Sequence, residues 1–120
     1  HGDILLAGAS GLVGGLLAEL GHVGPVRSPT YTLLEPYRLQ GHDFTHCDLY
    51  RLRHPDELDD LGLRDLRVAG SVLLVEWPEK AHGRLHAADL ALTLDYAGPD
   101  ARKLVAAACS PAGRAVLERL

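Results

Sequence analysis

The sequence predicts one α/β domain, and three observations lead to this prediction. The chain has 120 residues, of which 47% are hydrophobic and 23% charged, so its size and composition are those of a single globular unit. Residues 3–7 read as a short strand whose residues 4–7 are all apolar, and they pass through a glycine-rich turn into a helical pattern. Residues 71–75 read as a second strand, in which residues 72–75 are apolar and Glu76 follows. Such runs are typical of strands buried on both faces, as in parallel sheets covered by helices.

The first segment has the pattern strand, turn, helix. After Gly8, apolar residues recur on one face of the predicted helix, at Leu12, Val13, Leu16, Leu17 and Leu20. Gly21 lies where a helix C-cap is expected. This unit commonly opens a parallel α/β sheet.

The middle of the chain predicts two short strands and a helix. Residues 31–34 and 44–49 favour strands, and the turn-rich residues 40–43 separate them. Pro55 suits the first position of a helix whose first turn is acidic, and Gly62 ends that helix.

The C-terminal part predicts an antiparallel hairpin and a last helix. Leucines alternate at residues 90–94, the chain turns at residues 97–100, and a second strand returns through residues 104–105. Ser110 as N-cap and Pro111 as first helical residue begin the helix. Its side chains expected to face the body are Ala112, Val116 and Leu120.

Composition excludes several classes of function. The net charge of −4 and the pI near 5.9 leave no global basic field that would attract nucleic acid. Cys47 and Cys109 lack the Cys-x-x-Cys spacing of a zinc ribbon and do not form a disulfide framework. Apolar stretches are broken well before the roughly 20 residues that a membrane span needs. We therefore expect a cytoplasmic protein with reduced thiols.

Glu76 is the strongest candidate for a functional residue. It follows a buried strand, at the carboxyl end where open α/β sheets bind their ligands. A carboxylate there can hold Mg²⁺ through water or orient an attacking water. The alternative is a strand-end glutamate that faces solvent.

Two other segments carry polar groups. Residues 27–32 place hydroxyl groups beside a proline, a pattern that suits either a phosphate-sensing loop or, more commonly, an ordinary turn into a strand. On the strand of residues 46–50, alternation puts His46, Asp48 and Tyr50 on one face. His42 and His46 have a spacing that converges on a helix, but a strand separates the two imidazoles, which disfavours a transition-metal site between them.

Four motifs in order resemble the bacterial TsaE family. They are residues 28–33 (SPTYTL), 46–52 (HCDLYRL), 56–63 (DELDDLGL) and 75–80 (VEWPEK). The resemblance implies a P-loop NTPase-like three-layer α/β sandwich with a mixed sheet, antiparallel toward the C-terminus. It also implies a single domain over residues 1–120, in which we expect the natural N-terminal segment to be absent.

The family resemblance implies a function in tRNA modification. TsaE proteins are ATPases that bind Mg²⁺ and ATP and act with the TsaB and TsaD proteins to make threonylcarbamoyladenosine beside the anticodon. Contact with tRNA would be indirect, through that complex. Carried over to this sequence, Glu76 and Asp48 become the catalytic, Mg²⁺-associated carboxylates, with Ser10 as the hydroxyl ligand of the metal. The residues implied in nucleotide binding are Gly8, Ser10, Gly11, Thr30 and Trp77.

The sequence departs from the family pattern in the phosphate-binding loop. The family sequence Gly-Asp-Leu-Gly-Ala-Gly-Lys-Thr-Thr is represented here by residues 8–11, which is about five residues shorter. An ungapped alignment would instead put Ala9 on the lysine position and Ser10 on the metal-binding hydroxyl. No lysine precedes Lys80.

Three hypotheses follow. The protein is a TsaE-like ATPase that retains nucleotide binding, a catalytically silent module that docks on TsaB and TsaD, or a small metal-dependent hydrolase. The hydrolase would use His42, His46, Asp48 and Glu76.

Overall fold

The fold is built on one mixed β-sheet. The computed structural model describes residues 2–8, 12–23, 34–81, 83–85 and 88–119. Within these ranges six strands form the sheet in the order β2-β3-β4-β1-β5-β6. The strands are Gly2–Gly8 (β1), Leu34–Leu39 (β2), His42–Asp48 (β3), Val72–Glu76 (β4), Leu90–Tyr96 (β5) and Arg102–Ala108 (β6).

The inner strands β3, β4, β1 and β5 run parallel, and each edge strand pairs antiparallel with its neighbour. The two apolar runs of the sequence are the central pair β1 and β4, as expected for strands that are buried on both faces. The predicted C-terminal hairpin is confirmed as β5 and β6. A second antiparallel hairpin, β2–β3, closes the opposite edge.

The β2–β3 hairpin is tighter than the sequence indicated. Its turn consists of Gln40 and Gly41, which both have positive φ angles of 52° and 78°. Two consecutive positive φ angles match the right-handed twist of paired strands, which explains why a two-residue turn suffices. β2 begins at Leu34 and extends to Leu39, later than the predicted strand, whose residues 31–33 lie outside the described ranges.

Two layers cover the sheet. The helix Leu12–Glu19 (α1) packs on one face, where its Val13 and Leu17 are buried with Leu6 and Leu74. Short 3₁₀ helices at Pro55–Leu61, Leu63–Leu66 and Pro78–Ala81 lie on the other face. The core there consists of Cys47, Leu49, Leu52, Leu58, Leu73, Val75 and Ala81. The three-layer arrangement is therefore confirmed.

The helix predicted from Pro55 forms as a 3₁₀ helix. His54 caps it by accepting a hydrogen bond from the Asp56 backbone at Nδ1, and Gly62 ends it in the left-handed conformation at φ 68°. Leu58 is the residue of this segment that is buried, so little packing holds the segment to α-helical geometry.

The last helix, Pro111–Leu117 (α2), begins as predicted, since Ser110 Oγ accepts a hydrogen bond from Gly113 N at 3.0 Å. The prediction of its inward face is wrong. Ala112 and Val116 are exposed, Gly113 is buried, and Leu120 lies outside the described ranges. A Cβ at Gly113 would lie 1.7 Å from Asp89 O, so the helix approaches the sheet through a residue without a side chain.

Both cysteines are free thiols, with Cys47 buried and Cys109 exposed. Within the part of the chain that the structure describes, no helix has the length and apolar character needed to cross a membrane.

Candidate functional site

The candidate site lies at the carboxyl ends of three adjacent parallel strands. Asp48 at the end of β3 pairs in register with Glu76 at the end of β4, and Glu76 pairs with Leu6 of β1. β1 then continues to Gly8, the first residue of the shortened loop. Because the carboxyl ends of parallel strands form the ligand-binding edge of an open sheet, these residues occupy the position expected of a nucleotide site.

Alternation along the strands adds His46 to this group. His46 pairs with Leu74, which is buried beneath α1, so the imidazole and the two carboxylates lie on the α1 face of the sheet. One ligand atom from each of His46, Asp48 and Glu76 lies within 4.8 Å of the others. The sheet thus brings together one nitrogen donor and two oxygen donors.

The contact between His46 and Glu76 is close but is not a hydrogen bond. Nε2 of His46 lies 2.9 Å from Oε1 of Glu76, and the side chains are 2% and 20% exposed. Neither ring nitrogen makes a hydrogen bond with any group of the described residues. Buried polar atoms in this state are rare in folded proteins.

Asp48 is held by the turn that follows its strand. Its Oδ1 accepts a hydrogen bond from the backbone N–H of Tyr50 at 3.0 Å, and Leu49 N donates to Glu76 O at 3.1 Å. The second bond ties the end of β3 to the end of β4. These contacts fix the backbone on which both carboxylates are carried.

Two aromatic side chains lie beside the carboxylates. Trp77 follows Glu76 directly and has a φ of 58°, which is a rare and strained conformation for a bulky residue. Its ring lies 5.2 Å from the ring of Tyr50, and both side chains are exposed. The two rings therefore form an exposed aromatic pair next to the strand end that carries Glu76.

Cys47 takes no part in the site. It points to the opposite face of the sheet, into the core beneath the 3₁₀ helices. Burial, together with the nearby charge of Asp48, raises the pKa of the Cys47 thiol to about 12. The thiol therefore stays protonated and is not a nucleophile.

Comparison with known proteins identifies the family. The family described as threonylcarbamoyl adenosine biosynthesis protein TsaE matches residues 1–104 of the chain. The chain belongs to the TsaE family. A Haemophilus influenzae protein named tRNA threonylcarbamoyladenosine biosynthesis protein TsaE is 43% identical over 98% of this chain and 73% of its own length. The Bacillus subtilis protein of the same name is 32% identical over 86% of this chain and 68% of its own length.

The fold also has a counterpart among solved structures. The crystal structure of Bacillus subtilis YdiB superposes with a TM-score of 0.69 at 23% identity, covering 98% of this chain and 75% of that one. The P-loop NTPase-like α/β fold expected from the TsaE resemblance is consistent with this likeness.

The structure brings together some of the residues that the TsaE resemblance singled out. Asp48 and Glu76 are adjacent, Gly8 ends the neighbouring strand, and Trp77 follows Glu76. Ser10, Gly11 and Thr30 lie outside the described residues. Tyr50, whose pairing with Trp77 sequence reasoning missed, lies beyond the end of β3.

His42 does not join the group. It begins β3, four residues from His46, and its Nδ1 lies 3.1 Å from Gly70 O. Four strand rises of about 3.3 Å separate the two residues by about 13 Å, so the hydrolase hypothesis loses one of its four residues. The motif His46-x-Asp48, with period two on one strand, was the signal for the group that does form.

The two carboxylates of the site meet the requirements of Mg²⁺. This ion takes oxygen ligands in near-octahedral geometry and keeps several waters, so it is usually held by one or two carboxylates. Asp48 and Glu76 offer such a pair at the strand ends, with both side chains partly open to solvent. The carboxylates fit Mg²⁺, whereas the imidazole of His46 is not a donor that Mg²⁺ prefers.

Proposed function

We propose that this protein is a Mg²⁺- and ATP-binding ATPase subunit of tRNA threonylcarbamoyladenosine biosynthesis, acting in the cytoplasm with TsaB and TsaD. The names of its relatives support the pathway. The observation that carries the proposal is the carboxylate pair Asp48 and Glu76 at the carboxyl ends of adjacent strands, beside the strand that leads into Gly8.

Within this proposal the carboxylates hold the metal. Asp48 and Glu76 would bind Mg²⁺ directly or through water, and Mg²⁺ when bound neutralises charge on the phosphates of the nucleotide. The Tyr50 backbone N–H keeps Asp48 in place. Trp77 and Tyr50 offer aromatic surface to the nucleotide. Gly8, Ser10 and Gly11 are assigned to phosphate binding by the family resemblance, with the Ser10 hydroxyl as a metal ligand. Thr30 is assigned to the phosphate-sensing loop.

The shortened loop sets the expected strength of nucleotide binding. A phosphate loop with a lysine supplies several charge-assisted hydrogen bonds worth roughly 1.5–3 kcal/mol each. This chain has no lysine before Lys80, and an arginine is a poor replacement for a lysine in a tight loop. We therefore propose that ATP binds more weakly than to a full loop and depends more strongly on the metal held by Asp48 and Glu76.

Reconstitution tests the proposal. Purified TsaB and TsaD from the same source are combined with tRNA, a preformed activated threonylcarbamoyl donor and Mg²⁺-ATP, with and without this protein, and threonylcarbamoyladenosine is measured in the tRNA. We expect modification to require the protein, to be lost with Glu76→Gln, and to be retained with Glu79→Gln, which removes the same charge three residues away at an exposed position.

Two results would contradict the proposal. Equal modification without the protein would remove it from the pathway. Full activity of the Glu76→Gln variant would show that the carboxylate site is not used and that the protein contributes only by docking.

A further inference from the structure

We infer that His46, Asp48 and Glu76 form a mixed nitrogen and oxygen site for a first-row divalent transition metal of the Zn²⁺ or Mn²⁺ class, and that this site binds the metal in the absence of nucleotide. The inference deepens the proposed function, since it shares the two carboxylates and adds a third ligand and a metal preference.

Distances support a common ion. The donor atoms of the three side chains lie within 4.8 Å of one another. Two donors held about 2.1 Å from one ion are about 3.0 Å apart at the right angle of octahedral coordination and about 3.4 Å apart at the tetrahedral angle usual for Zn²⁺. The 2.9 Å between His46 Nε2 and Glu76 Oε1 lies close to the octahedral value. The backbone pairing of β3 with β4 fixes the positions from which the three side chains project, on one face of the sheet.

The state of the imidazole is the second, independent observation. His46 is 2% exposed, and among the described residues no group accepts from or donates to either of its ring nitrogens. Its Nε2 lies 2.9 Å from Glu76 Oε1, yet this contact is not a hydrogen bond. A buried nitrogen that lies beside two carboxylates and bonds to neither is suited to a ligand that all three approach together.

The donor set decides the class of metal. Imidazole suits Zn²⁺ and other first-row transition ions, whereas Mg²⁺ and Ca²⁺ are bound through oxygen. One imidazole with two carboxylates leaves coordination positions for water, which is typical of a site that can also receive a substrate oxygen. The site therefore binds Zn²⁺ or Mn²⁺ more tightly than Mg²⁺.

Metal titration without nucleotide tests the inference. Zn²⁺ is titrated against a chromophoric chelator in protein carrying Cys109→Ser, which removes the exposed thiol as a background ligand. Three further variants are compared. His46→Gln removes the nitrogen donor, and Asp48→Asn removes one charge while keeping the oxygen that bonds Tyr50 N. His54→Asn is the control, since it removes an exposed histidine and preserves a helix-capping acceptor.

We expect one equivalent of Zn²⁺ to bind to the parent and to the His54→Asn variant. Loss of an outer-shell partner commonly weakens metal binding by about 10–100-fold, so loss of the direct ligand His46 should weaken it by more than about 100-fold. Co²⁺ in place of Zn²⁺ should give visible absorption bands that the His46→Gln variant lacks. Parent protein that binds no stoichiometric Zn²⁺, or a folded His46→Gln variant that binds Zn²⁺ as tightly as the parent, would overturn the inference.

Circular dichroism first establishes that each variant is folded. If His46→Gln does not fold, the nuclear magnetic resonance signals of the His46 ring in the parent decide. A change in the chemical shifts of these ring signals on adding one equivalent of Zn²⁺ would support the site. Unchanged chemical shifts would overturn the inference. The outcome is separate from that of the proposed function, because Mg²⁺-ATP binding is measured without Zn²⁺ and depends on the carboxylates, not on His46.

Discussion

Neutralising one carboxylate of the site should stabilise the fold. Asp48 and Glu76 face each other in register on adjacent strands, with donor atoms within 4.8 Å. Like charges directly opposite each other on a sheet are destabilising. The perturbations are Asp48→Asn and Glu76→Gln, which keep the shape of each side chain and remove its charge. Asp48→Asn also keeps the oxygen that accepts from Tyr50 N.

The magnitude follows from the separation. Two unit charges 4.8 Å apart repel by about 0.9 kcal/mol in a water-like environment and about 3.5 kcal/mol at an effective dielectric constant of 20. Both side chains are partly exposed, so the lower part of this range applies. We expect each variant to raise the free energy of unfolding by about 1–2 kcal/mol, or the midpoint by roughly 3–10 °C for a domain of this size. The double variant should gain little more, because the first change already removes the repulsion.

The assay is chemical and thermal denaturation, with and without Mg²⁺. Divalent cation should stabilise the parent, since it binds the folded state, and should have little effect on either variant. Glu79→Gln is the matched control and should change neither the stability nor the response to Mg²⁺. A loss of more than about 1 kcal/mol with Glu76→Gln would show that repulsion between the carboxylates does not dominate, because it would mark Glu76 as the structural partner of His46.

Three further predictions concern the rest of the fold. Gly113→Ala should lower the free energy of unfolding by about 2–4 kcal/mol in denaturant titration, because its Cβ would meet Asp89 O at 1.7 Å and displace α2; an unchanged midpoint would contradict the close approach. Two hydrogen bonds lower the pKa of Asp89. The larger effect comes from the Ser110 hydroxyl and the smaller from the backbone N–H of Asp3. The stabilisation from this carboxylate is therefore complete above the ordinary carboxyl pKa and is lost as pH falls through the lowered pKa. When unfolding is followed from about pH 6 to pH 2, the free energy of unfolding should fall less in Asp89→Asn than in the parent. A thiol reagent should modify Cys109 in the native protein and Cys47 only after unfolding, since Cys109 is exposed and Cys47 is buried with a raised pKa; rapid native reaction of both thiols would count against the described core.

Sequence patterns predicted the centre of the fold because burial there leaves a direct mark. Residues 4–7 of β1 and 72–75 of β4 are continuously apolar, which is typical of strands buried on both faces. Glu76 could be placed at the carboxyl end of its strand for the same reason. The prediction that Asp48 belongs to the site rested on its period-two spacing with His46 and on the resemblance to the TsaE family.

The contacts that depend on register could not be read from the sequence. The approach of His46 to Glu76 requires β3 to lie beside β4 with Asp48 opposite Glu76, and no local pattern specifies that pairing. The inward face of α2 was mispredicted because hydrophobic periodicity counts side chains, whereas this helix contacts the sheet through Gly113.

We expect the carboxylate pair to support nucleotide binding despite the short, lysine-free loop. Trp77 is the single tryptophan of the chain and follows Glu76, so its fluorescence reports on the site. Titration with Mg²⁺-ATP should give a saturable change with a dissociation constant below about 1 mM, equivalent to about −4.1 kcal/mol. The change should vanish without Mg²⁺ and in Asp48→Asn, and remain in Glu79→Gln. No fluorescence change and no competition with a labelled ATP analogue, up to several millimolar nucleotide, would contradict the account and leave a protein that acts by docking alone.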